Sequence, residues 1–368
     1  MKKIKCLMMA MIALIGSTTF VSCGDDDDNN NQTVSNVERY QREVDNVVRS
    51  QKKNSKAILL VAFGSTWQQA YDAFDLTKSE YEKEFPGYDV YLSFSSAICI
   101  NRAMAAENTA ARSFYEPKYW LEAFGRVQYS EIIVQSMQVI PGEEFSRVVN
   151  AMKDFGNNSN GDLDDKYMSQ VTLKLGMPLM YAPEDATALA QALNTNFASW
   201  ASQGTMLFMG HGNPDEYDTY KANVRYTQLE EALQKLNKNY YVGTVDMKDN
   251  FKVQVRDRMV ANGVTTGNVY CAPLMSIAGD HAHNDMAGDD DAWDNGFELN
   301  GDGEVEDTSW KMYFDHMGYT IDADTYKDNG SKALVKGLLE YANVRALYKA
   351  HTRQAEVVDY YHSMYPEE

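Results

Sequence analysis

The chain has 368 residues, of which 53 are Asp or Glu and 34 are Lys or Arg, so its formal net charge is −19. This excess of acid argues against a nucleic acid partner, because phosphate binding requires clustered Lys and Arg. The length is sufficient for two domains of ordinary size, and a hydrophobic share of 44% is normal for a globular protein.

The first 22 residues are typical of a secretory signal peptide, because lysines precede a short apolar run and small residues follow it. Phe20-Val-Ser-Cys23 is similar to a bacterial lipoprotein cleavage site, which predicts a lipid on Cys23. An ordinary cleaved signal with an incidental cysteine is the alternative. We therefore expect an exported, membrane-anchored lipoprotein, periplasmic or on the outer-membrane surface.

Residues 23–54 are expected to connect this anchor to the folded part of the chain. The Asp- and Asn-rich stretch at 24–32 has nothing to bury, which predicts a disordered tether. A mixed-charge pattern from Val37 to Lys53 predicts a helix that either packs on the surface or extends the tether.

Strands and helices alternate through two segments, which predicts an α/β fold with two similar domains, each a parallel sheet flanked by helices. We assign residues 55–204 to the N-terminal domain and residues 205–330 to the C-terminal domain. Residues 331–368 are expected to form helices that pack back on the N-terminal domain. The predicted strands are apolar runs at 57–63, 89–95, 131–140, 171–175, 206–209, 240–245 and 268–277.

Two strand ends in one half of the chain match two in the other half. Gly64-Ser65 corresponds to Gly210-His211, and Gly142 to Glu144 corresponds to Gly279 to His281. Two matches in the same order suggest a duplicated domain. Because ligands of open α/β sheets bind at the carboxyl ends of strands, we expect these four segments to face one cleft between the domains.

Three strand-end side chains of the second half, His211, Asp246 and His281, predict a metal site. Imidazole and carboxylate suit Co, Ni, Fe or Zn, and three ligands leave coordination positions open. Glycines on both sides of His211 suggest a backbone that approaches a ligand closely. Asp246 could instead cap the next helix, and Glu144 could simply be an acid favoured at a helix start. His283 is expected to lie behind the ligands or to face solvent.

An acidic insertion at residues 289–307 is expected to form a solvated flap over the cleft mouth. Asn300 to Glu306 partly resembles a calcium-binding loop, but Ser309 stands where that loop requires a bidentate Glu. We therefore do not expect calcium in the 298–309 loop.

The motifs around these positions resemble those of the anaerobic-type sirohydrochlorin cobaltochelatases (the CbiK family) from about Lys56 to His351. Gly279-Asp-His281 leading to Asn284-Asp-Met286, followed by Ser309-Trp-Lys-Met312, is a distinctive combination. Further matching motifs are Phe63-Gly-Ser-Thr66, Gln135-Ser-Met137, Gly142-Glu-Glu144, Met209-Gly-His-Gly212 and Pro273-Leu-Met275.

The resemblance implies a chelatase-like fold, with an active-site cleft between two similar α/β domains. It also implies an enzyme that inserts Co(II) into sirohydrochlorin, a cobalamin precursor, without ATP. Fe(II) and Ni(II) are alternative ions, and a homo-oligomer is compatible with the resemblance.

By the same resemblance, the family's metal-binding histidines fall on His211 and His281, and its cleft Glu falls on Glu144. Its carboxylate ligand, a Glu, falls on Asp246, whose side chain is one methylene shorter, so direct ligation is in question. His211 and Glu144 would accept the protons that leave the macrocycle. Substrate contacts are expected from Phe63, Ser65, Thr66 and Met137.

Export departs from this family, most of which works in the cytoplasm. The alternative hypothesis is therefore an exported lipoprotein that binds a tetrapyrrole or a metal in haem, iron or cobalt handling, without inserting the ion. Both hypotheses imply a tetrapyrrole or metal ligand and a membrane contact through the lipid.

Overall fold

The computed structural model describes residues 35–107, 109–291, 293, 296–305, 307–327 and 333–357. The signal peptide, Cys23 and the acidic tether lie outside these residues. Among the helices in the described ranges, none is long and apolar enough to cross a bilayer.

The first lobe is built on a five-stranded sheet with helices on both faces. Its strands are β1 (Lys56–Ala62), β2 (Tyr88–Phe94), β3 (Glu131–Ser136), β4 (Thr172–Gly176) and β9 (Glu356–Val357), and its helices are α1 (Asn36–Gln51), α2 (Gln68–Glu84), α3 (Ala97–Met104), α4 (Pro117–Arg126), α5 (Glu143–Gly156) and α6 (Asp165–Met168). The strand order is β2-β1-β3-β4-β9, and all pairs are parallel except β4 with β9. The central strand β1 is buried on both faces, which explains its continuous apolar run.

The second lobe has a four-stranded parallel sheet. Its strands are β5 (Thr205–Gly210), β6 (Tyr240–Thr244), β7 (Asn268–Pro273) and β8 (Thr320–Ile321), and its helices are α7 (Pro183–Ala201), α8 (Val224–Leu236), α9 (Lys252–Ala261), a π-helical segment (His281–Met286) and α10 (Trp310–His316). The strand order β6-β5-β7-β8 repeats the order β2-β1-β3-β4 of the first lobe. This repeated topology confirms the expected α/β fold with two parallel sheets, and it supports the duplication.

Helix α1 begins with a capping box, in which Ser35 and Glu38 satisfy each other's backbone N–H groups. Val44 and Val48 are fully buried on its inner face. Gln41 Nε2 donates to the carbonyl of Tyr119 in α4 at 3.0 Å. Of the two alternatives for this helix, packing on the first lobe is therefore correct.

Two helices cross between the lobes and join their cores. Helix α7, assigned from sequence to the N-terminal domain, packs on α8 and β5 of the second lobe. Helix α11 (Ala342–Arg353) packs on α7 and returns to β3 and β4 of the first lobe. Thr352 Oγ1 in α11 donates to Gln135 Oε1 in β3 at 2.7 Å. The two sheets are thus held against one continuous hydrophobic core.

The described part of the acidic insertion, residues 289–307, rests on α9 and α10. The ring of Trp293 stacks on His316 with centroids 4.8 Å apart. Gln254 Nε2 donates to the carbonyl of Gly303 at 3.2 Å. These contacts attach the insertion to the second lobe immediately after the π-helical segment.

The side-chain oxygen of Asn300 faces its own loop. Asn300 Oδ1 accepts the backbone N–H groups of Asp302 at 3.0 Å and Glu304 at 2.9 Å. Glu304 also lies 3.7 Å from the Lys252 ammonium. Asn300 Oδ1 and a carboxylate oxygen of Glu304 thus already have protein partners. The absence of calcium from the 298–309 loop stays a prediction.

Candidate active site

The strand order of the second sheet brings two histidines together. His211 directly follows β5, and His281 begins the π-helical segment after β7, the neighbouring strand. Their ring centroids lie 4.9 Å apart, with the planes nearly perpendicular at 86°. Two imidazoles bound to one ion through bonds of about 2 Å have centroids roughly 5 Å apart. The spacing therefore allows both rings to bind a single ion.

The glycines beside His211 serve the packing of the protein itself. A Cβ atom on Gly210 would lie 2.4 Å from Cε1 of Tyr226, and one on Gly212 would lie 2.8 Å from Cβ of Met247. Gly212 also has a positive φ of 81°. Packing against protein atoms thus gives a reason for both glycines, and the close approach of a ligand to this backbone stays a prediction.

The Nδ1 nitrogen of His211 faces two oxygen atoms that can only accept a hydrogen bond. It lies 2.9 Å from the carbonyl of Gly212 and 3.3 Å from Oδ2 of Asp246. Since neither partner can donate, Nδ1 carries the proton and Nε2 keeps a free lone pair. A carboxylate behind a ligating imidazole is the usual way of orienting the ring and raising its basicity.

Asp246 is placed to orient His211. Its backbone N–H donates to the carbonyl of His211 at 2.9 Å, which brings the two residues side by side. Helix α9 begins at Lys252 with Phe251 as its N-cap, so the alternative that Asp246 caps this helix is wrong. Direct ligation by Asp246 stays a prediction.

His281 has the same arrangement with a different carboxylate. Its Nδ1 hydrogen-bonds to Oδ2 of Asp285, four residues further along the π-helical segment. Nε2 of His281 is again left as the basic nitrogen. Sequence reasoning assigned Asp285 no role, although its spacing of four residues from His281 was a usable signal.

The two imidazoles differ in proton affinity. Burial, followed by the charge of the neighbouring His281, lowers the pKa of His211. Burial alone would also lower the pKa of His281, but the hydrogen bond and charge of Asp285 outweigh it and raise that pKa. His211 is thus the more readily neutral imidazole, whereas a metal ion could bind His281 at lower pH only by displacing its proton.

Glu144 lies at the start of α5, close to the His211 loop. The backbone N–H of Glu143 donates to Oδ1 of Asn213 at 3.3 Å, which joins α5 to that loop across the cleft. Ser95 Oγ donates to Oε2 of Glu144 at 2.9 Å. Burial raises the pKa of Glu144, against the lowering influence of Arg147 and of the Ser95 hydrogen bond. The carboxylate therefore combines a helix-start position with a specific side-chain partner and a raised proton affinity.

The four expected substrate contacts have different positions. Phe63 is 45% exposed at the end of β1, whereas Ser65 and Thr66 are almost fully buried. Met137 is 1% exposed and packs in the core, where its carbonyl accepts the hydroxyl of Tyr348 at 3.1 Å. The structure does not support a direct substrate contact by the Met137 side chain, because the chain turns inward where β3 ends.

Two further residues at this edge were missed from the sequence. Ile98 in α3 is 65% exposed, and the backbone N–H of the nearby Ser96 donates to the carbonyl of Phe63 at 3.0 Å. Arg102, also in α3, lies 3.4 Å from Oδ2 of Asp280. The sequence itself offered only an isoleucine four residues before an arginine, and the exposure of Ile98 became visible in the structure.

The described ranges contain no group of three or more His, Cys, Asp and Glu side chains arranged to hold a metal ion. The fold and this site define a two-lobed α/β protein with two adjacent histidines at the strand ends of its second sheet.

Comparison with known proteins identifies the family. The profile of the cobalt chelatase (CbiK) family matches residues 56–357, and the chain belongs to that family. The sirohydrochlorin cobaltochelatase of Salmonella typhimurium is 27% identical over 301 residues, which cover 82% of this chain and 96% of the relative. The sirohydrochlorin cobaltochelatase CbiKC of Nitratidesulfovibrio vulgaris is 28% identical over 250 residues, which cover 67% of this chain and 80% of the relative. A solved structure, SirB from Bacillus subtilis with Fe3+, aligns with a TM-score of 0.46 at 11% identity, over 81% of this chain and 94% of that one.

Replacing Asp285 by Asn tests the carboxylate behind His281. We expect Asp285→Asn to weaken Co(II) binding roughly 10- to 100-fold, because the ring loses the partner that fixes its orientation. Co(II) affinity should be measured by competition with a chelating dye at pH 8, above the ordinary pKa of imidazole. Asp289→Asn is the matched control, since that side chain is 94% exposed. Equal affinities for the two variants would contradict the assignment.

Proposed function

We propose that this protein is a sirohydrochlorin cobaltochelatase, which inserts Co(II) into the macrocycle without ATP. The observation that carries the proposal is the pair of imidazoles with centroids 4.9 Å apart, each with Nδ1 given to an acceptor. Membership of the cobalt chelatase family supports Co(II) as the metal that is inserted. The names of the two relatives support sirohydrochlorin as the macrocycle that receives it. Fe(II) and Ni(II) are alternative ions, since imidazole nitrogen suits all three.

The ion is substrate here, so the site must both bind it and release it. Nε2 of His211 and Nε2 of His281 hold the incoming ion and leave the other coordination positions to water and then to pyrrole nitrogens. As the ion moves to the macrocycle, four new metal–nitrogen bonds replace those to the protein. The two imidazole nitrogens then regain their lone pairs.

Insertion also releases two pyrrole N–H protons, and two groups are placed to accept them. Nε2 of His211 becomes a base once the ion has left it, and its lowered pKa means that it starts neutral. The carboxylate of Glu144 accepts the second proton, helped by its raised pKa. A base is most effective when its pKa approaches the working pH.

The macrocycle carries an apolar ring and many carboxylates, and the first lobe offers surfaces for both. Phe63 and Ile98 expose 45% and 65% of their surfaces beside the carboxyl ends of β1 and β2. Arg102 and Arg147 lie at the same edge, at 3.4 Å from Asp280 and 3.5 Å from Glu144. Both ion pairs are partly exposed, so each contributes little to the stability of the fold. Substrate carboxylates can therefore compete for the two guanidinium groups.

The proposal is tested by anaerobic incubation of the purified protein with sirohydrochlorin and Co(II), with Fe(II) and Ni(II) in parallel. We expect the absorption spectrum of the metallated macrocycle to appear with wild-type protein. His211→Ala and His281→Ala should each slow it roughly 100-fold or more, because each removes a metal ligand.

His316→Ala is the control for this assay, since that imidazole stacks on Trp293 and hydrogen-bonds to Asp291, neither of which contacts His211 or His281 in the described hydrogen bonds. It should metallate the macrocycle at the wild-type rate. Binding of sirohydrochlorin without metallation by any of the three ions would contradict the insertase and favour the alternative, an exported tetrapyrrole- or metal-binding lipoprotein.

Glu144→Gln tests the proton acceptor. Because the carboxylate must be ionised to accept a proton, the wild-type insertion rate should rise with pH through the raised pKa of Glu144. In the Gln variant the rate should no longer rise with pH in this range, and kcat should fall about 100-fold. Its Co(II) affinity should stay within about twofold of wild type. Glu143→Gln, at the more exposed neighbouring position, is the control. An unchanged pH profile in Glu144→Gln would contradict the role.

We also propose that Cys23 carries a lipid that anchors the protein to a membrane after export. The signal-like residues 1–22 and the motif ending at Cys23 support this location. Cys23→Ser should move the protein from the detergent phase to the aqueous phase in a detergent-partitioning assay, while the purified variant keeps its insertion rate. Cys6→Ser, inside the signal, should leave the anchor intact. Retention of Cys23→Ser in the detergent phase would contradict the proposal.

A further inference from the structure

One side chain of the first lobe reaches the segment that carries His281. Trp67 follows the buried Ser65 and Thr66 at the end of β1 and occupies the N-cap position of α2. Its backbone is fixed, because its N–H donates to Ser65 Oγ at 3.2 Å and its carbonyl accepts the N–H of Tyr71 at 3.1 Å. An indole has no acceptor with which to cap a helix, so this side chain contributes nothing to the start of α2.

The indole instead makes two contacts across the cleft. Its Nε1 donates to Oδ1 of Asp280 at 2.7 Å. Its ring stacks on His283 with centroids 3.8 Å apart and planes 10° from parallel. Asp280 precedes His281 and His283 follows it by two residues, so Trp67 holds the chain on both sides of this histidine.

The segment needs such support because its own backbone is irregular. His281 to Met286 is π-helical, a geometry that is rare and found mostly as single turns at functional sites. Asp285 fixes the ring of His281 from within the segment. Trp67 of the opposite lobe contacts both Asp280 and His283. Arg102, also of the first lobe, lies 3.4 Å from Asp280.

We propose that Trp67 is a positioning residue that sets His281 for the ion through Asp280 and His283. The two lobes thereby cooperate in metal loading, although both histidines belong to the second lobe. This inference rests on the proposed function, since it takes His281 to be a ligand of the substrate metal. It predicts a specific effect on Co(II) and little direct effect on the macrocycle.

The experiment compares Co(II) binding by full-length wild-type protein, Trp67→Phe and Trp67→Ala at pH 8. Trp67→Phe keeps a ring for the stack and removes the hydrogen bond to Asp280, so we expect Co(II) affinity to fall roughly tenfold, the lower end of the effect of groups behind a metal ligand. Trp67→Ala should lower it further. In steady-state assays the KM for Co(II) should rise by a similar factor, with kcat and the KM for sirohydrochlorin within about twofold.

Trp200→Phe is the matched control, because Trp200 is also half-buried and packs on Tyr270 at a ring-centroid distance of 4.9 Å near the opposite end of the second sheet. It should bind Co(II) like wild type. His283→Phe, which preserves the stack, should retain most of the affinity, and His283→Ala should not. If Trp67→Ala fails to fold, Trp67→Phe still decides the question.

His281→Ala separates failure of this inference from failure of the proposed function. If His281→Ala binds Co(II) as tightly as wild type, the ligand assignment itself is wrong. If His281→Ala loses affinity while Trp67→Phe keeps it within twofold, only the positioning role of Trp67 is overturned. A general loss of kcat and of melting temperature in Trp67→Phe, without a change in Co(II) affinity, would also overturn it.

Discussion

The site depends on two hydrogen bonds made on the far side of the imidazole rings. Nδ1 of His211 and Nδ1 of His281 each face acceptors, so both rings are held in the tautomer that leaves Nε2 basic. Without these acceptors the rings could rotate or exchange tautomers, and in the proposed reaction the short distance between them would no longer present two ligands to one ion. The parallel sheet supplies the proximity and the carboxylates supply the direction.

The duplicated lobes place different chemistry at equivalent strand ends. Where the second lobe has His211 after β5, the first has Phe63 and the buried Ser65 after β1. Where the second lobe has His281 after β7, the first has Glu144 after β3. In the proposed reaction the second lobe holds the ion, and the first offers the apolar surface and a proton acceptor. Helices α7 and α11 cross between the sheets and join the cores, so these unlike edges face each other on one framework.

Much of this arrangement could be predicted from the sequence, because buried parallel strands give continuous apolar runs and the residues that end them share one edge of a sheet. The pairing of His211 with His281 followed from that rule. The role of Asp285 was missed although its spacing of four residues from His281 pointed to it, because that spacing brings the two side chains together only if the segment is helical, and the loop after β7 was not predicted to be helical. The packing of Gly210 against Tyr226 and the burial of Met137 depend on contacts between distant segments, which a single sequence does not encode as a pattern.

In the proposed reaction, a site with only two imidazole ligands suits a protein that passes its metal on. A resident structural ion is usually enclosed by four protein ligands, which makes its release slow. Here the described residues bring two imidazoles together, with Nδ1 of His211 hydrogen-bonded to the carbonyl of Gly212 and close to Asp246, and Nδ1 of His281 hydrogen-bonded to Asp285. Where such a carboxylate acts only through the imidazole, it strengthens the ring nitrogen as a donor without adding a bond to the ion that must later break. In the proposed reaction, an ion held in this way exchanges two protein nitrogens and its bound waters for the four nitrogens of the macrocycle, while two pyrrole protons leave, so the metal bonds broken at the protein are few.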